Sequence, residues 1–208
     1  MTDTGWQAVV IGSSSGGLAA LTTIAAMLPA DFHLPVAIVQ HRQEEDATGY
    51  LPTLLEHRCV LPVREAMDKE PLVPGTITLA PPGYHLLIER SGTYSLSVDA
   101  PVNFARPAID VLFESAATAF GAGLLGIILT GANQDGSHGI QKIKAAGGTT
   151  IAQDPAEAEA DTMPRSAIAT AAVDHVLTLH GIGTFLAAAG QPAAARNKNP
   201  HPRISPCL

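Results

Sequence analysis

Val9-Val10-Ile11-Gly12-Ser13-Ser14-Ser15-Gly16-Gly17 decides the fold of this chain. Its apolar start reads as the end of a buried strand. The Ser/Gly run reads as a sharp turn, and apolar residues at helical spacing begin at Leu18. A serine on a strand-to-helix turn stands clear of the sheet edge, beside the N–H groups of a helix N-terminus. Such a place suits a nucleophile, and it also suits a phosphate. The run does not match G-x-G-x-x-G and lacks the Lys of a phosphate-binding loop, which weakens the phosphate reading.

Outward from this stretch, strand and helix patterns alternate. Residues 8–11 read as a first strand, and Leu18, Leu21, Ile24 and Leu28 mark a helix that Pro29 stops. Residues 34–39 read as a second strand ending at Gln40-His41, then a polar stretch at 42–48 and a short helix near 51–57. Shorter strands follow at 60–64 and 76–80. Period-two alternation at 85–90 and 94–99, across Ser91-Gly92-Thr93, predicts a hairpin. Ile109, Leu112, Phe113, Ala116, Ala117 and Phe120 give the clearest helix, with Pro107 suited to its first turn. Strands are expected at 124–129, 149–152 and 176–179, with helices around Ile140, after the acidic loop 153–162, and near 184–189. Continuous apolar strands alternating with helices imply an α/β fold: a doubly wound, mainly parallel β-sheet with helices on both faces and an antiparallel hairpin.

The chain has 208 residues, 46% hydrophobic and 15% charged, which suits one domain with a substantial core. We expect that domain at residues 1–190. Residues 191–208, rich in Pro, Asn and Arg, are expected to form a flexible tail. With a net charge of -7 and no basic stripe, the chain is not expected to bind nucleic acid. No apolar run approaches the ~18 residues of a membrane span, and no secretory signal is legible, so no membrane insertion and a cytoplasmic location are expected. Cys59 and Cys207 make neither a disulfide framework nor a metal motif, and no metal or organic cofactor is expected.

Ligands of open α/β sheets bind beyond the carboxyl ends of the strands. Ser14, His41 and Asp135 each fall after a strand, and together they supply the residue types of a Ser-His-Asp triad. Each also has a plainer reading. Ser14 could be a turn or cap serine, His41 a polar loop residue, and Asp135-Gly136 a turn or a cap for the helix starting near Ser137.

Several blocks in order resemble one family, the catalytic domain of chemotaxis protein-glutamate methylesterases of the CheB type. Residues 11–17 resemble its nucleophile loop, Gly-Ala-Ser-Thr-Gly-Gly, with Ser14 in the nucleophile position. Val39-Gln40-His41 resembles the strand end carrying the catalytic histidine. Further matching blocks are Leu79-Ala80-Pro81 with His85-Leu86-Leu87, and Val102-Asn103 with Arg106-Pro107 and Asp110-Val111-Leu112-Phe113. Leu129-Thr130-Gly131 through Asp135-Gly136 resembles the loop of the catalytic aspartate. Ala152-Gln153-Asp154 with Met163-Pro164-Arg165 and Ala167-Ile168 completes the set.

The resemblance implies hydrolysis of glutamyl methyl esters on the cytoplasmic helices of chemoreceptors or similar signalling proteins, with methanol released, and in some members deamidation of glutamine. It implies Ser14 as nucleophile, His41 as general base and Asp135 as its orienting acid. Backbone N–H groups at the first helix and in the 131–135 loop would hold the oxyanion. Ser15 and His85 fall on positions near the active site, and Ala132 and Arg106 are candidate supporting residues. Arg106 is expected to hold acidic receptor groups or a loop carboxylate such as Asp154, or else to serve the fold.

Two departures stand out. Ala132 and Asn133 replace the usual Met-Gly; Asn suits a left-handed backbone, but a methionine packing over the site is lost. No receiver domain precedes the first strand, so we expect a stand-alone protein that is constitutively active or controlled by a separate partner. The alternatives are a hydrolase of the same fold with another ester or amide substrate, or a non-catalytic receptor-binding module.

Overall fold

The computed structural model describes residues 5–42 and 49–191. In chain order the elements are β1 (Ala8–Ser13), α1 (Gly17–Ala25), β2 (Val36–Gln40), α2 (Tyr50–Glu56), β3 (Val63–Glu65), β4 (Ile77–Leu79), β5 (His85–Ile88) and β6 (Tyr94–Ser97). There follow α3 (Ile109–Phe120), β7 (Leu124–Ile128), α4 (Ser137–Ala145), β8 (Thr149–Gln153), α5 (Thr162–Ala169), β9 (His175–Leu177) and α6 (Leu179–Ala189). Seven strands form one parallel sheet in the order β3-β4-β2-β1-β7-β8-β9, and β5 pairs antiparallel with β6 apart from it. This is the α/β architecture expected from the alternation of apolar runs. Residues 192–208 of the expected tail lie outside the described residues, as do residues 43–48 of the polar stretch.

The sheet is covered on both faces because its strands are apolar on both. Val9 and Ile11 of β1 face a core shared with α1, α2 and α6, where Leu21, Ile24, Leu55, Ile182 and Leu186 are buried. Ala8 and Val10 face the opposite core, with Leu112 and Phe113 of α3, Ile140 and Ile143 of α4, and the hairpin's Leu86 and Ile88. Phe113 is fully buried, and a side chain of this kind contributes about 1.5–3 kcal/mol by leaving water. α3 reaches in close under the end of β1. A Cβ on Gly12 would lie 2.3 Å from the Ile109 side chain, so only glycine lets the α3 N-terminus approach this strand.

Some boundaries differ from the sequence reading, for local reasons. α1 stops at Ala25, ahead of Pro29. Pro107 lies outside α3, which has Ala108 in extended geometry as its N-cap. α6 starts at Leu179 because the Thr178 side chain caps it, accepting the Gly181 N–H at 3.0 Å.

The chain runs from β1 to β2 on one side, and β7 later fills the other side of β1. This reversal makes the carboxyl end of β1 the switch point of the sheet, where ligand sites of such folds lie. Ser13 pairs with Gln40 and Gly12 with Ile128, so the three strands end nearly level.

Candidate active site

Ser14, His41 and the 130–136 loop leave adjacent strand ends. The ladder continues one rung past the strands: the Ser14 N–H donates to Thr130 O and the His41 N–H to Ser13 O, both at 2.9 Å. Gln40 ties the two ends together with one side chain. Its Nε2 donates to Ser14 O (2.9 Å) and His41 O (3.0 Å), while its Oε1 accepts from Ser13 Oγ at 2.7 Å. Sequence reasoning gave Gln40 no role; a strand-end glutamine carries no signal until its partners are in register. Thr130 fixes the other flank, its Oγ1 donating to Ser15 O at 2.8 Å.

The imidazole of His41 meets Asp135, with Nε2 at 2.7 Å from Oδ2. Asp135 is fully buried, and each of its partners is a donor: the N–H groups of Ile109 (2.6 Å), Asp110 (3.1 Å) and Gly136 (3.0 Å), and Nδ2 of Asn103 (2.9 Å). Burial alone would raise its pKa. The His41 bond, the Ile109 N–H, Asn103 and the Asp110 N–H outweigh that and hold it below the ordinary carboxylate value. A surround made only of donors keeps Asp135 ionised, so His41 Nε2 must carry the proton, and the basic lone pair is on Nδ1.

Asp135 is thus a cap, but for α3 rather than for the helix that follows it. The first turn of α4 is served in return by Asp110 of α3, whose Oδ1 accepts the Gly139 N–H at 2.7 Å. Neither helix has a side-chain cap at its own N-cap position. The two helix N-termini therefore exchange carboxylates, and Asn103 Nδ2 bridges them at 2.9 Å from each. Burial, with the charge of Asp135, pushes Asp110 above the usual range despite the Gly139 and Asn103 bonds.

Ser14 Oγ makes no hydrogen bond to His41 in this structure. Nδ1 of His41 instead faces Nδ2 of Asn133 at 3.3 Å. The Asn133 Oδ1 accepts the Asp135 N–H at 3.0 Å, which fixes which end of the amide points at the imidazole. Asn133 does not adopt the left-handed backbone expected of it; the residue replaces the usual glycine with a side-chain contact. A methionine still lies beside the nucleophile, although Ala132 is exposed and offers none. Buried Met163 of α5 packs against Gly131, where a Cβ would lie 2.5 Å from its Cε and 3.0 Å from Ser14 Cβ.

Ser15 is exposed at the turn. The N–H groups of Ser15, Gly16, Ala132 and Asn133 make no hydrogen bond among the described residues. The ring of His85 is spent on backbone: Nδ1 accepts the N–H of Ala108, the residue before Ile109, and Nε2 donates to Ala100 O, each at 3.2 Å. Arg106 Nη1 donates to Val98 O (3.0 Å) and Asp99 O (3.3 Å), bracing the loop ahead of α3. Its role in the fold, left open by the sequence, is visible here. A groove of about 640 Å³ leads from Ser14 between α1 and α2, past Leu18, Thr22, Leu54, His57, Arg58 and Glu159. Among the described residues no cluster of His, Cys, Asp or Glu could hold a metal ion, and no helix is long and apolar enough to cross a membrane.

The fold and this cluster define a doubly wound α/β protein with Ser, His and Asp gathered at the switch-point edge. Residues 9–186 match the CheB methylesterase family, and the chain belongs to that family. A Leptospira interrogans relative is 48% identical over 177 residues, covering 85% of this chain and 91% of the relative. The protein-glutamate methylesterase/protein-glutamine glutaminase 2 of Anaeromyxobacter dehalogenans is 42% identical over 176 residues, covering 85% of this chain and 51% of that one. The chain therefore spans about half the length of the Anaeromyxobacter relative. The crystal structure of the Thermotoga maritima CheB methylesterase catalytic domain superposes with a TM-score of 0.82 at 34% identity, covering 88% of this chain and 97% of that one.

Proposed function

We propose that this chain is a serine hydrolase that demethylates glutamyl methyl esters on chemoreceptor-type signalling proteins and accepts the corresponding glutamine amides. The observation that carries the reading is the His41–Asp135 pair at 2.7 Å, one ladder rung from Ser14 at the switch point. Membership of the family supports the substrate class.

Ser14 Oγ attacks the ester carbonyl while its proton passes to His41 Nδ1. The C–O bond to methoxide breaks as Nδ1 returns the proton, which releases methanol and leaves an acyl-Ser14. Water then attacks with Nδ1 again taking a proton; the bond from the carbonyl carbon to Ser14 Oγ breaks, Nδ1 returns the proton to Oγ, and the glutamate side chain departs. Asp135 holds the tautomer and stabilises the imidazolium. The N–H groups of Ser15 and Gly16 on one side, and of Ala132 and Asn133 on the other, are the donors available to the oxyanion. Nδ1 reaches the Ser14 proton once Asn133 Nδ2 yields its place. The groove between α1 and α2, with Arg58 and Glu159 on its walls, receives the helical segment that carries the ester. Such receptor segments lie on the cytoplasmic side.

Incubation with a methylated receptor fragment is expected to release methanol, and a serine-directed phosphonate to add once per chain at Ser14 by mass spectrometry. Methanol release from folded Ser14→Ala at the wild-type rate would refute the reading. Gln40→Leu keeps a side chain of similar size but unties Ser14 from His41. It is expected to slow phosphonate labelling on the order of tenfold or more, and unchanged labelling would show that the strand ends hold without it.

A further inference from the structure

The turn ahead of α3 contains a residue that the fold does not explain. Val102 and Ala105 exchange hydrogen bonds, N–H to O at 3.1 and 2.9 Å, and close a tight hairpin around Asn103 and Phe104. Both central residues have left-handed φ, 52° and 63°, as in a type I′ turn. Asparagine is at home there, and its amide bridges Asp110 and Asp135. Phenylalanine is not. Glycine usually fills the second position, and a bulky side chain at positive φ is strained. Phe104 also gains nothing in return from its own chain, because its relative exposure is 106%. Val98 and Val102 are exposed beside it in sequence. Arg106 braces this segment through Val98 O and Asp99 O, so the ring is presented from a fixed turn.

Strain and an unburied ring one residue from the partner of Asp135 point to a contact made outside the chain. We propose that Phe104 is an anchor for the protein substrate: it inserts between apolar side chains of the helical receptor segment and so seats the modified side chain over Ser14. This rests on the methylesterase reading and adds a specificity-determining residue to it. The substrate helix is then held on two sides. The groove of Leu18, Thr22 and Leu54 grips it on the α1–α2 side, and Phe104 grips it on the Asp135 side. An exposed aromatic on a rigid turn loses little freedom on binding, which is what makes such residues effective anchors.

The test compares a methylated receptor fragment with a short peptide carrying one glutamyl methyl ester, too small to span from Ser14 to the turn. Phe104→Ala is expected to lower the ratio of kcat/KM on the fragment to kcat/KM on the peptide roughly tenfold, with the loss in KM. Phe104→Tyr should restore most of that ratio. Phe104→Gly should lower the ratio equally while raising the thermal midpoint, because glycine accepts the positive φ; a purely structural role would move stability without the ratio. A ratio unchanged in both Phe104→Ala and Phe104→Gly overturns the proposal. So does a change only in self-association by sedimentation, which would assign the ring to a second copy of the chain. Fluorescence anisotropy of the labelled fragment separates the two readings. Fragment binding weakened by Phe104→Ala, with no turnover of either substrate by the wild type, keeps the anchor and refutes the esterase activity. Turnover by the wild type with binding untouched by Phe104→Ala does the reverse.

Discussion

Asp135→Asn is expected to lower kcat for methyl ester hydrolysis about 10⁴-fold, and the fold should lose about 2 kcal/mol. The reason lies in the partner set. Nε2 of His41, Asn103 Nδ2 and the N–H groups of Ile109, Asp110 and Gly136 all donate to this carboxylate, so an amide NH₂ meets a donor whichever way it turns. With the NH₂ facing His41, the imidazole must present a lone pair on Nε2 and carry its proton on Nδ1, and the base that Ser14 needs is gone. With the NH₂ facing the other way, it opposes Asn103 and the backbone N–H groups of Asp110 and Gly136. Steady-state methanol release and a denaturant titration check the two parts, and a variant within tenfold of wild-type kcat would remove Asp135 from the mechanism. The pH dependence follows with a definite sign. Burial pushes the Asp135 pKa up, but its hydrogen bonds hold it below its unfolded value, near 3.9. Its contribution to stability is complete above that unfolded value and is lost as pH falls through the folded one. Asp135→Asn should therefore show a shallower loss of stability with acid than the wild type does below about pH 4.

What was legible in the sequence was whatever a single segment determines. The apolar run into Ser13-Ser14-Ser15 marks a strand, a turn and a helix start within one window, and the apolar strands at 34–39 and 124–129 mark where His41 and the Asp135 loop must emerge. Parallel strands with level ends then bring these loops to one edge. What was not legible depends on partners far away in sequence. Asp135 looks like a local turn residue, yet it accepts the N–H groups of Ile109 and Asp110, and Asp110 returns the service to Gly139. No window contains both helices. Asn133 suited a left-handed backbone by residue type. The structure uses its side chain instead, because its amide can join the Asp135 N–H to the His41 ring. His85, expected only near the site in a supporting place, depends on distant partners too: both its ring nitrogens are satisfied by the backbone around the turn before α3.

Gly131→Ala tests how tightly the nucleophile is held, and we expect labelling of Ser14 by a phosphonate to slow on the order of 10²-fold. Space, not backbone freedom, makes this glycine necessary, since its φ is not in the left-handed region. A Cβ there would sit 2.5 Å from Met163 Cε, 2.7 Å from its Sδ and 3.0 Å from Ser14 Cβ. A methionine at the surface would swing aside. Met163 is fully buried, and its backbone N–H is tied to Gly131 O at 2.8 Å, so it moves only by disturbing the core around α5. The Gly131 N–H is likewise bonded to Ala160 O at 2.9 Å, which prevents the loop from backing away as a unit. The remaining path for the strain is through Ser14, whose N–H holds Thr130 O. A shift of about 1 Å in a reacting atom is enough for the expected loss, and overpacking adds roughly 1–3 kcal/mol of destabilisation. The double variant Gly131→Ala with Met163→Ala relieves the larger clash but keeps the 3.0 Å contact on Ser14, which needs only a small adjustment. Its labelling rate should recover most of the loss while its thermal midpoint stays low, because removing a buried methionine opens a cavity. If labelling in the double variant stays as slow as in Gly131→Ala, the added methyl acts on Ser14 directly rather than through Met163. If folded Gly131→Ala labels at the wild-type rate, the nucleophile loop has more freedom than these distances allow.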